Sequence, residues 1–237
     1  MMIGLATQRV LQRRMEITAN NLANVSTNGF KADSLITEEV TPAPARSEDT
    51  PNDVRYVEDL SVARDMRPGE IRSTGEPFDV AVDGDGFFSV LGPGGPLYTR
   101  NGAFTLSGDG GLVNADGYPV LDAGGSPIVF DARGERPLIG RDGAISVNGT
   151  EVGRIGVTSF DHPGALQKVD GSLWDAAGQS TKEFTGRVVQ GALEGSNVSP
   201  VIELTRLIEI SRAYENAARI VQGADTLRKS TLERLGR

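Results

Sequence analysis

Two apolar stripes at helical spacing, one towards each end of the chain, constrain the fold more than any other feature. The first runs at alternating spacings of four and three residues and consists of Leu11, Met15, Thr18, Leu22 and Val25. The second runs at alternating spacings of three and four and consists of Leu207, Ile210, Tyr214, Ala217, Val221 and Ala224. Such spacings place the apolar side chains on one face of an α-helix and are typical of helices that pack lengthwise on a partner.

An isolated amphipathic helix usually packs on the core of its own domain. Neither stripe here is embedded in further helical sequence, so we expect the two helices to pack on each other and bring the two ends of the chain together. The second helix is expected to begin at Ser196-Asn197 or at Ser199-Pro200, because a capping side chain and a proline in the first turn favour a helix start. Each stripe is wider than a two-residue seam, so we expect helices of other chains to cover the remaining apolar surface.

Between the two helices the pattern changes to short alternating runs separated by turn signals. The run LYTR-NG-AFTL at 97–106 predicts a hairpin that turns at Asn101-Gly102. Asn148-Gly149 and the stretch Asn114–Gly117 predict further turns between strands. Of the 30 glycines, 24 lie between residues 36 and 190, as turns require and helices disfavour. We therefore predict an antiparallel β domain over 76–190.

The predicted fold class is α+β. The terminal helices, at 1–35 and 191–237, form one discontinuous helical domain, and the β domain is inserted between them. Residues 36–75 are rich in proline and acidic side chains and lack a sustained period. They predict an extended or partly disordered connector, with short strands near 54–57 and 70–72.

Charge and composition exclude several classes of function. The net charge is −8, and no basic stripe with interleaved aromatic residues offsets it, which argues against nucleic acid as a partner. The sequence contains no run of 18 apolar residues, so it does not predict a membrane-spanning helix. The chain has no cysteine, so disulfides, thiolate metal sites and cysteine nucleophiles are excluded. The N-terminal segment is charged from Arg9 onward, unlike a cleavable signal peptide.

Candidate catalytic and metal-binding residues are equally scarce. Asp83–Gly86 begins like a calcium loop, but Phe87 and Gly94 occupy the fifth and twelfth positions, so a turn between two strands is expected instead. The single histidine, His162, lies in a turn sequence without a nucleophile motif. We predict no catalytic, cofactor-binding or metal-binding residue and no enzyme activity. The alternative from another class is a binding module or hydrolase that uses the loops around Asp161-His162 or Asp83–Asp85.

Four ordered motifs resemble those of flagellar basal-body rod and hook proteins. The first is ANNLANVSTNGFK at 19–31, an asparagine-rich end to an amphipathic helix. The second is PFDVAVDGDGFF at 77–88, the third is YTRNGAF at 98–104 followed by DGYPV at 116–120, and the fourth is GALEGSNV at 191–198 with RAYE at 212–215. Together they cover most of the chain outside the connector and residues 125–190.

The resemblance implies an inner layer of terminal helices paired as a coiled coil, a β domain outside it, and a helically arranged axial tube. It implies a structural subunit of the periplasmic drive shaft, which transmits torque and contacts other rod subunits and further copies of itself. It also implies export through the flagellar type III apparatus without a cleaved signal peptide. The sequences at 191–201 and in the strand at 152–157 resemble those of the proximal rod type. RAYEN at 212–216 resembles the distal rod type, which remains the alternative.

The asparagines at the end of the first helix suggest a role in assembly. Asn28-Gly29 is a natural left-handed exit from a helix, but Asn20, Asn21 and Asn24 lie beside the apolar stripe and could fix the register between subunits. The predicted assembly interface consists of Leu11, Met15, Asn20, Asn21, Leu22, Asn24, Val25, Asn197, Leu207, Ile210, Tyr214, Ala217 and Val221.

Overall fold

The structure is a computed structural model that describes residues 2–37, 60–130 and 136–235. Contacts between its backbone positions divide these residues into two units. The helical unit contains residues 2–23, 33–37, 60–64 and 199–235, and the β unit contains residues 24–32, 65–130 and 136–198. The α+β class predicted from the sequence is confirmed, with two helices and a largely antiparallel β region.

The helical unit is built on two helices, α1 (Met2–Ala23) and α2 (Pro200–Leu235), which pack against each other. The N–H of Glu203 donates to the Ser199 carbonyl oxygen at 3.0 Å, which makes Ser199 the cap and Pro200 the first helical residue. Of the two predicted helix starts, Ser199-Pro200 is therefore confirmed. Over the described residues, neither helix combines the length and apolar character needed to cross a membrane.

A two-stranded antiparallel sheet completes the helical unit. Its strands are β1 (Asp33–Thr37) and β2 (Leu60–Arg64), which pair from Asp33 opposite Arg64 to Thr37 opposite Leu60. Arg64 Nε lies 3.4 Å from Asp33 Oδ1, and both side chains are largely buried. The predicted connector at 36–75 thus missed the strand at 60–64, while the strand predicted near 70–72 is confirmed as β3 below. The strand predicted at 54–57 lies outside the described residues.

The β unit is made of short strands joined by tight turns. Its strands are β3 (Ile71–Ser73), β4 (Val80–Asp83), β5 (Phe87–Gly92), β6 (Gly95–Thr99), β7 (Thr105–Leu106), β8 (Leu112–Val113), β9 (Leu138–Ile139), β10 (Ala144–Val147), β11 (Thr150–Arg154), β12 (Val157–Phe160), β13 (Gln167–Asp170), β14 (Leu173–Asp175), β15 (Thr181–Glu183), β16 (Arg187–Gln190) and β17 (Ala192–Glu194). A 3₁₀ turn at Pro163–Ala165 precedes β13.

These strands form one large sheet and several small ones. The large sheet has the order β13-β14-β6-β5-β12-β15, and a three-stranded sheet has the order β11-β10-β9. The pairs β16-β4, β17-β3 and β7-β8 complete the described topology, and every pairing is antiparallel. The β unit therefore consists of hairpins and of antiparallel pairings between strands distant in sequence, such as β16 with β4.

Two apolar clusters form the core of the β unit. The larger cluster is aliphatic with added phenylalanines, and its buried members are Val80, Val82, Phe88, Val90, Leu97, Phe104, Leu112, Val120, Ile128, Phe130, Ile145, Ile155, Leu173 and Val188. The smaller cluster is mainly aromatic and contains Phe87, Tyr98, Phe160, Leu166 and Trp174. Because side chains alternate between the faces of a strand, adjacent Phe87 and Phe88 enter different clusters.

Three of the predicted turns are confirmed. Asn148 and Gly149 have φ of 53° and 81° and join β10 to β11, as a two-residue hairpin with two left-handed positions requires. In the stretch Asn114–Gly117, the N–H of Gly117 donates to the carbonyl oxygen of Asn114 at 3.0 Å, and Val113 bridges to Pro119. The predicted turn at Asp83–Gly86 likewise lies between β4 and β5.

The hairpin predicted at Asn101-Gly102 is wrong. Strand β6 pairs with β5 and β14 rather than with the residues after Gly102. The Asn101 side chain instead accepts the N–H of Ala103 at 3.1 Å, and the Gly102 carbonyl oxygen accepts the N–H of Val80 at 3.0 Å. A bond to a residue more than twenty positions away thus replaces the local turn, and local turn preference could not predict it.

Candidate assembly site

In the helical unit, a buried amide joins both helices to the first strand. Asn21 is 1% exposed, and its Nδ2 donates to the Asp33 carbonyl oxygen at 2.8 Å and to Glu203 Oε2 at 3.3 Å. Its Oδ1 accepts the N–H of Asp33 at 2.9 Å. Glu203, also buried, pairs with Arg206 at 2.5 Å. Because buried polar groups require partners, this network fixes the packing of α1 against the start of α2.

A groove of about 300 Å³ lies beside this network, between α1, α2 and β1. Apolar side chains of Ile17, Leu35 and Ile210 share its lining with Arg14 and Glu209. The groove therefore has apolar and charged surface, with both signs of charge represented.

The predicted interface residues of α1 and α2 have intermediate exposure in most cases. This holds for Leu11, Met15, Leu22, Leu207, Ile210, Tyr214, Ala217 and Val221, whereas Asn20 is exposed. A second set of large apolar side chains on α2 is exposed, and it consists of Val201, Ile202, Leu204, Ile208 and Ile220. Their exposed fractions range from 47% to 72%. Helix α2 thus presents more apolar surface than the described part of its own unit covers.

The helix α1 ends earlier than its asparagine-rich sequence suggests. It stops at Ala23, and Asn24 to Ala32 belong to the β unit. The Thr27 hydroxyl donates to Asn24 Oδ1 at 3.1 Å, so the loop bends back on itself. Gly29 has φ of 68°, so its backbone is left-handed as predicted. The predicted helix exit at Asn28-Gly29 is wrong, because α1 ends six residues before Gly29. A Cβ there would lie 2.5 Å from the backbone carbon of Arg100, so only glycine fits.

A buried charge network in the β unit is centred on Glu194. Its Oε1 accepts from Lys31 Nζ at 2.5 Å and from the N–H of Gly69 at 2.9 Å, and its Oε2 accepts from Arg100 Nη1 at 3.2 Å. The three charged side chains are at most 2% exposed. Lys31 Nζ also donates to the Arg67 carbonyl oxygen at 2.9 Å. Burial lowers the pKa of both Lys31 and Arg100, and the Glu194 carboxylate opposes that shift.

Phe30, between Gly29 and Lys31, is also held in place. It is 2% exposed, and Lys168 Nζ lies 4.8 Å from the centre of its ring. The Arg100 guanidinium lies 4.9 Å from the centre of the Phe87 ring. Cations over aromatic faces are attracted by the ring quadrupole. Each residue of the Gly-Phe-Lys sequence therefore has a specific contact in the β unit.

Asn197 completes this site. Its Nδ2 donates to the carbonyl oxygens of Asp65 and Arg67 at 2.7 and 3.0 Å, and its Oδ1 accepts the N–H of Ala32 at 2.8 Å. The motifs around Lys31, Arg100 and Glu194, far apart in sequence, thus meet at one place. The sequence did not predict that these motifs contact one another. The one available signal was that the motifs contain charged residues of opposite sign.

These contacts bear on two members of the predicted assembly interface. The amides of Asn21 and Asn197 make their hydrogen bonds within the chain, so an intrachain role accounts for both. That all thirteen predicted residues contact other subunits stays a prediction. Sequence reasoning did not identify the buried charged residues of the two networks, which are Glu203 in the helical unit and Lys31, Arg100 and Glu194 in the β unit.

The loops that a binding module or hydrolase would use make ordinary surface contacts. Asp83 pairs with Arg187 at 2.6 Å, and His162 is an exposed residue before the 3₁₀ turn. Across the part of the chain that the structure describes, no cluster of three or more His, Cys, Asp or Glu side chains could hold a metal. A groove of about 510 Å³ in the β unit includes Tyr98, whose pKa is raised by burial and by the negative charge of Asp175.

Three family descriptions match the chain. "Flagella basal body rod protein" matches residues 3–31, "Flagellar hook protein FlgE/F/G D1 domain" matches residues 81–147, and "Flagellar basal body rod FlgEFG protein C-terminal" matches residues 189–234. The matches contain Lys31, Arg100 and Glu194 respectively, so each contributes one charged residue to the buried network.

Individual relatives resemble the chain over nearly its whole length. The flagellar basal-body rod protein FlgF of Caulobacter vibrioides is 40% identical, covering 99% of this chain and 97% of the relative. FlgF of Rhizobium meliloti is 35% identical over 99% and 96%. The flagellar basal-body rod protein FlgG of Bacillus subtilis is 29% identical over 94% of each. These relatives are structural rod proteins rather than enzymes. The chain therefore belongs to the flagellar basal-body rod protein family.

Proposed function

We propose that this chain is a structural subunit of the proximal part of the flagellar rod, built into the axial shaft through its terminal helices. The observation that carries the proposal is similarity to FlgF proteins at 34–40% identity over nearly the full length of both chains. The FlgG relatives are 29–31% identical. A shaft that transmits torque requires many subunit contacts acting in parallel, and helical, non-closing contacts supply them.

The terminal helices form the first part of the assembly surface. The intermediate exposure of Leu207, Ile210 and Tyr214 along one face of α2 supports a coiled-coil seam with α1. The helices differ in length, with 22 residues in α1 and 36 in α2. At 1.5 Å per residue, α2 is about 21 Å longer, so α1 of the same chain is too short to cover its whole length. Helices of neighbouring rod subunits cover the remainder.

The exposed residues of α2 supply the second part of the surface. Val201, Leu204 and Ile208 are spaced at i, i+3 and i+7 and are 72%, 47% and 54% exposed. Residues at this spacing share one face of a helix. Burying about three large aliphatic side chains against a neighbour contributes roughly 1.5–3 kcal/mol each before the costs of association. This apolar face is where we expect other rod subunits, or further copies of this chain, to dock.

The proposal also includes the route by which the chain is exported and the place where it assembles. The chain travels through the flagellar type III apparatus and is incorporated into the periplasmic rod. The amphipathic sequence of α1, charged from Arg9 onward, supports this route.

Charge substitutions on α2 test the proposal. Val201→Asp combined with Ile208→Asp places two carboxylates on the exposed apolar face and should abolish swimming and remove the protein from purified hook-basal bodies. Ile202→Asp is the control and should leave rods normal, because Ile202 is 51% exposed but lies about 100–160° around the helix from Val201, Leu204 and Ile208. Normal rods from the double variant would refute docking on this face.

The distal rod role is the second candidate. It is favoured by Arg-Ala-Tyr-Glu-Asn at 212–216 and by the FlgG relatives. The order of subunits along purified hook-basal bodies distinguishes the two roles. A position between the inner rod and the distal rod supports the proximal assignment, whereas a position adjoining the hook supports the distal one.

A further inference from the structure

The buried network around Glu194 has an unusual order along the chain. All three donors to its carboxylate, on Lys31, Gly69 and Arg100, come from the first half of the sequence, whereas the carboxylate comes near the end. The N–H of Gly29 also donates to the Glu194 main-chain carbonyl oxygen at 2.8 Å. Four hydrogen bonds from earlier segments therefore depend on one late residue.

The electrostatics make this dependence strong. Lys31 and Arg100 are buried cations, and Glu194 is the carboxylate that forms a described ion pair with each. Asp65 acts on Lys31, and Asp85 on Arg100, through charge without a described ion pair. A buried cation without a paired anion is costly, so neither side chain is stable in its buried position before Glu194 arrives. Until then, solvation favours the exposed position for both side chains.

The loop from Asn24 to Ala32 depends on the same region. Backbone groups of Gly29, Phe30 and Ala32 bond to Glu194, Asn197 and Asp65. The N–H of Phe30 donates within the loop, to the Thr27 carbonyl oxygen. Phe30 belongs to neither of the two core clusters of the β unit. The loop is thus attached to the β unit outside these two clusters.

We propose that Glu194 is a latch: the carboxylate locks the loop 24–32, which directly follows α1 in sequence, onto the segment 194–197, which directly precedes α2. The latch closes only when the late part of the chain has folded into β17. In an incomplete or unfolded chain, Glu194 therefore does not hold the loop 24–32. Once the β unit is complete, this contact fixes both of the chain segments that adjoin the assembly helices. This inference does not depend on which part of the rod the chain occupies.

Hydrogen–deuterium exchange on the full-length chain tests the latch. Glu194→Gln keeps the size of the side chain but removes the charge, so amide exchange in peptides covering 24–32 and 65–70 should become at least tenfold faster. The hairpin at 144–154 should exchange as in the wild type. Glu183→Gln, on an exposed edge strand, is the matched control and should change neither region. Unchanged exchange at 24–32, or equally faster exchange at 144–154, would overturn the proposal.

A second variant keeps the test decisive if Glu194→Gln fails to fold. Lys31→Met removes one buried cation and leaves Glu194 paired with Arg100, which spares the β unit from an uncompensated charge. Exchange should again rise at 24–32 and 65–70 alone, by a smaller factor than in Glu194→Gln. A uniform rise over the whole chain, or no rise at 24–32, would contradict a latch and identify the network as an ordinary part of the core.

Discussion

The helical unit and the β unit differ in how they bury apolar and polar side chains. The β unit encloses two apolar clusters and surrounds its buried charges with partners. The helical unit buries the amide of Asn21 between its elements but leaves Val201 and Ile208 of α2 more than half exposed. Exposed apolar surface on a helix is typical of a site that another chain covers. The β unit also exposes Leu138 and Val169, but these lie on separate strands, β9 and β13, whereas Val201 and Ile208 share one face of α2. We infer that this face of the helical unit is covered by assembly.

The largest expected effect is in the β-unit core. Phe88 is fully buried and stacks edge-on against Phe104 at 5.1 Å between ring centres. Phe88→Ala should lower the free energy of unfolding of this unit by about 3–5 kcal/mol, because it removes apolar contacts and leaves a cavity. Urea titration followed by the fluorescence of Trp174, the only tryptophan, measures this. The control Val152→Ala, at a 45% exposed site, should cost far less; equal losses would show that the core is not as closed as described.

The next effect is at the loop that follows α1. Gly29→Ala should destabilise the β unit by about 2–3 kcal/mol, since the new methyl group meets the Arg100 backbone in a left-handed conformation. Gly75→Ala is the matched control, because Gly75 has φ of 77° but nothing within 4 Å of its added Cβ. The same urea titration compares the two. A loss at Gly29 no greater than that at Gly75 would mean that the loop is not held against Arg100.

In the helical unit a smaller effect is expected from its buried amide. Asn21→Ala leaves the N–H and carbonyl groups of Asp33 without this partner, which costs about 1–2 kcal/mol. Thermal unfolding followed by circular dichroism at 222 nm reports on the helices. Asn20→Ala, at the exposed neighbouring position, serves as the comparison and should change stability little. If both substitutions cost the same, Asn21 is not the tie between α1, β1 and α2.

The smallest effect concerns pH at the edge of the β unit. Hydrogen bonding and the positive charge of Arg67 hold the pKa of Asp65 below its usual value of 3.8. A lowered folded-state pKa means that the ion pair contributes stability above pH 3.8 and loses it as the pH falls below that value. The contribution is small because Arg67 is exposed. Titration of Asp65 by nuclear magnetic resonance should give a higher pKa in Arg67→Ala; an unchanged pKa would assign the shift to another cause.

Features that depend on residues close together in the sequence could be predicted, whereas contacts between distant residues could not. The helices and the turn at Asn148-Gly149 were predictable because helical period and left-handed turn residues are local signals. The turn at Asn101-Gly102 was mispredicted because a distant backbone group, the N–H of Val80, bonds to Gly102.

The charge network escaped prediction for the same reason. Lys31 and Glu194 are 163 positions apart, and a lone charged residue in a motif does not identify its partner. The family resemblance did locate the segments that carry the network, although it gave no reason for their charges. The structure supplies that reason, since the three motifs meet at one buried carboxylate.

The most direct test of the difference between the two units is the amount of this chain in purified hook-basal bodies, compared between the wild type and the variant that carries Val201→Asp with Ile208→Asp. Hydrogen exchange over 144–154 checks in parallel that the β unit stays folded. We expect the wild-type chain to co-purify with the rod, and the variant to be missing from it although its β unit is intact. Equal incorporation of the two chains, or absence of the wild-type chain from the rod, would contradict the account.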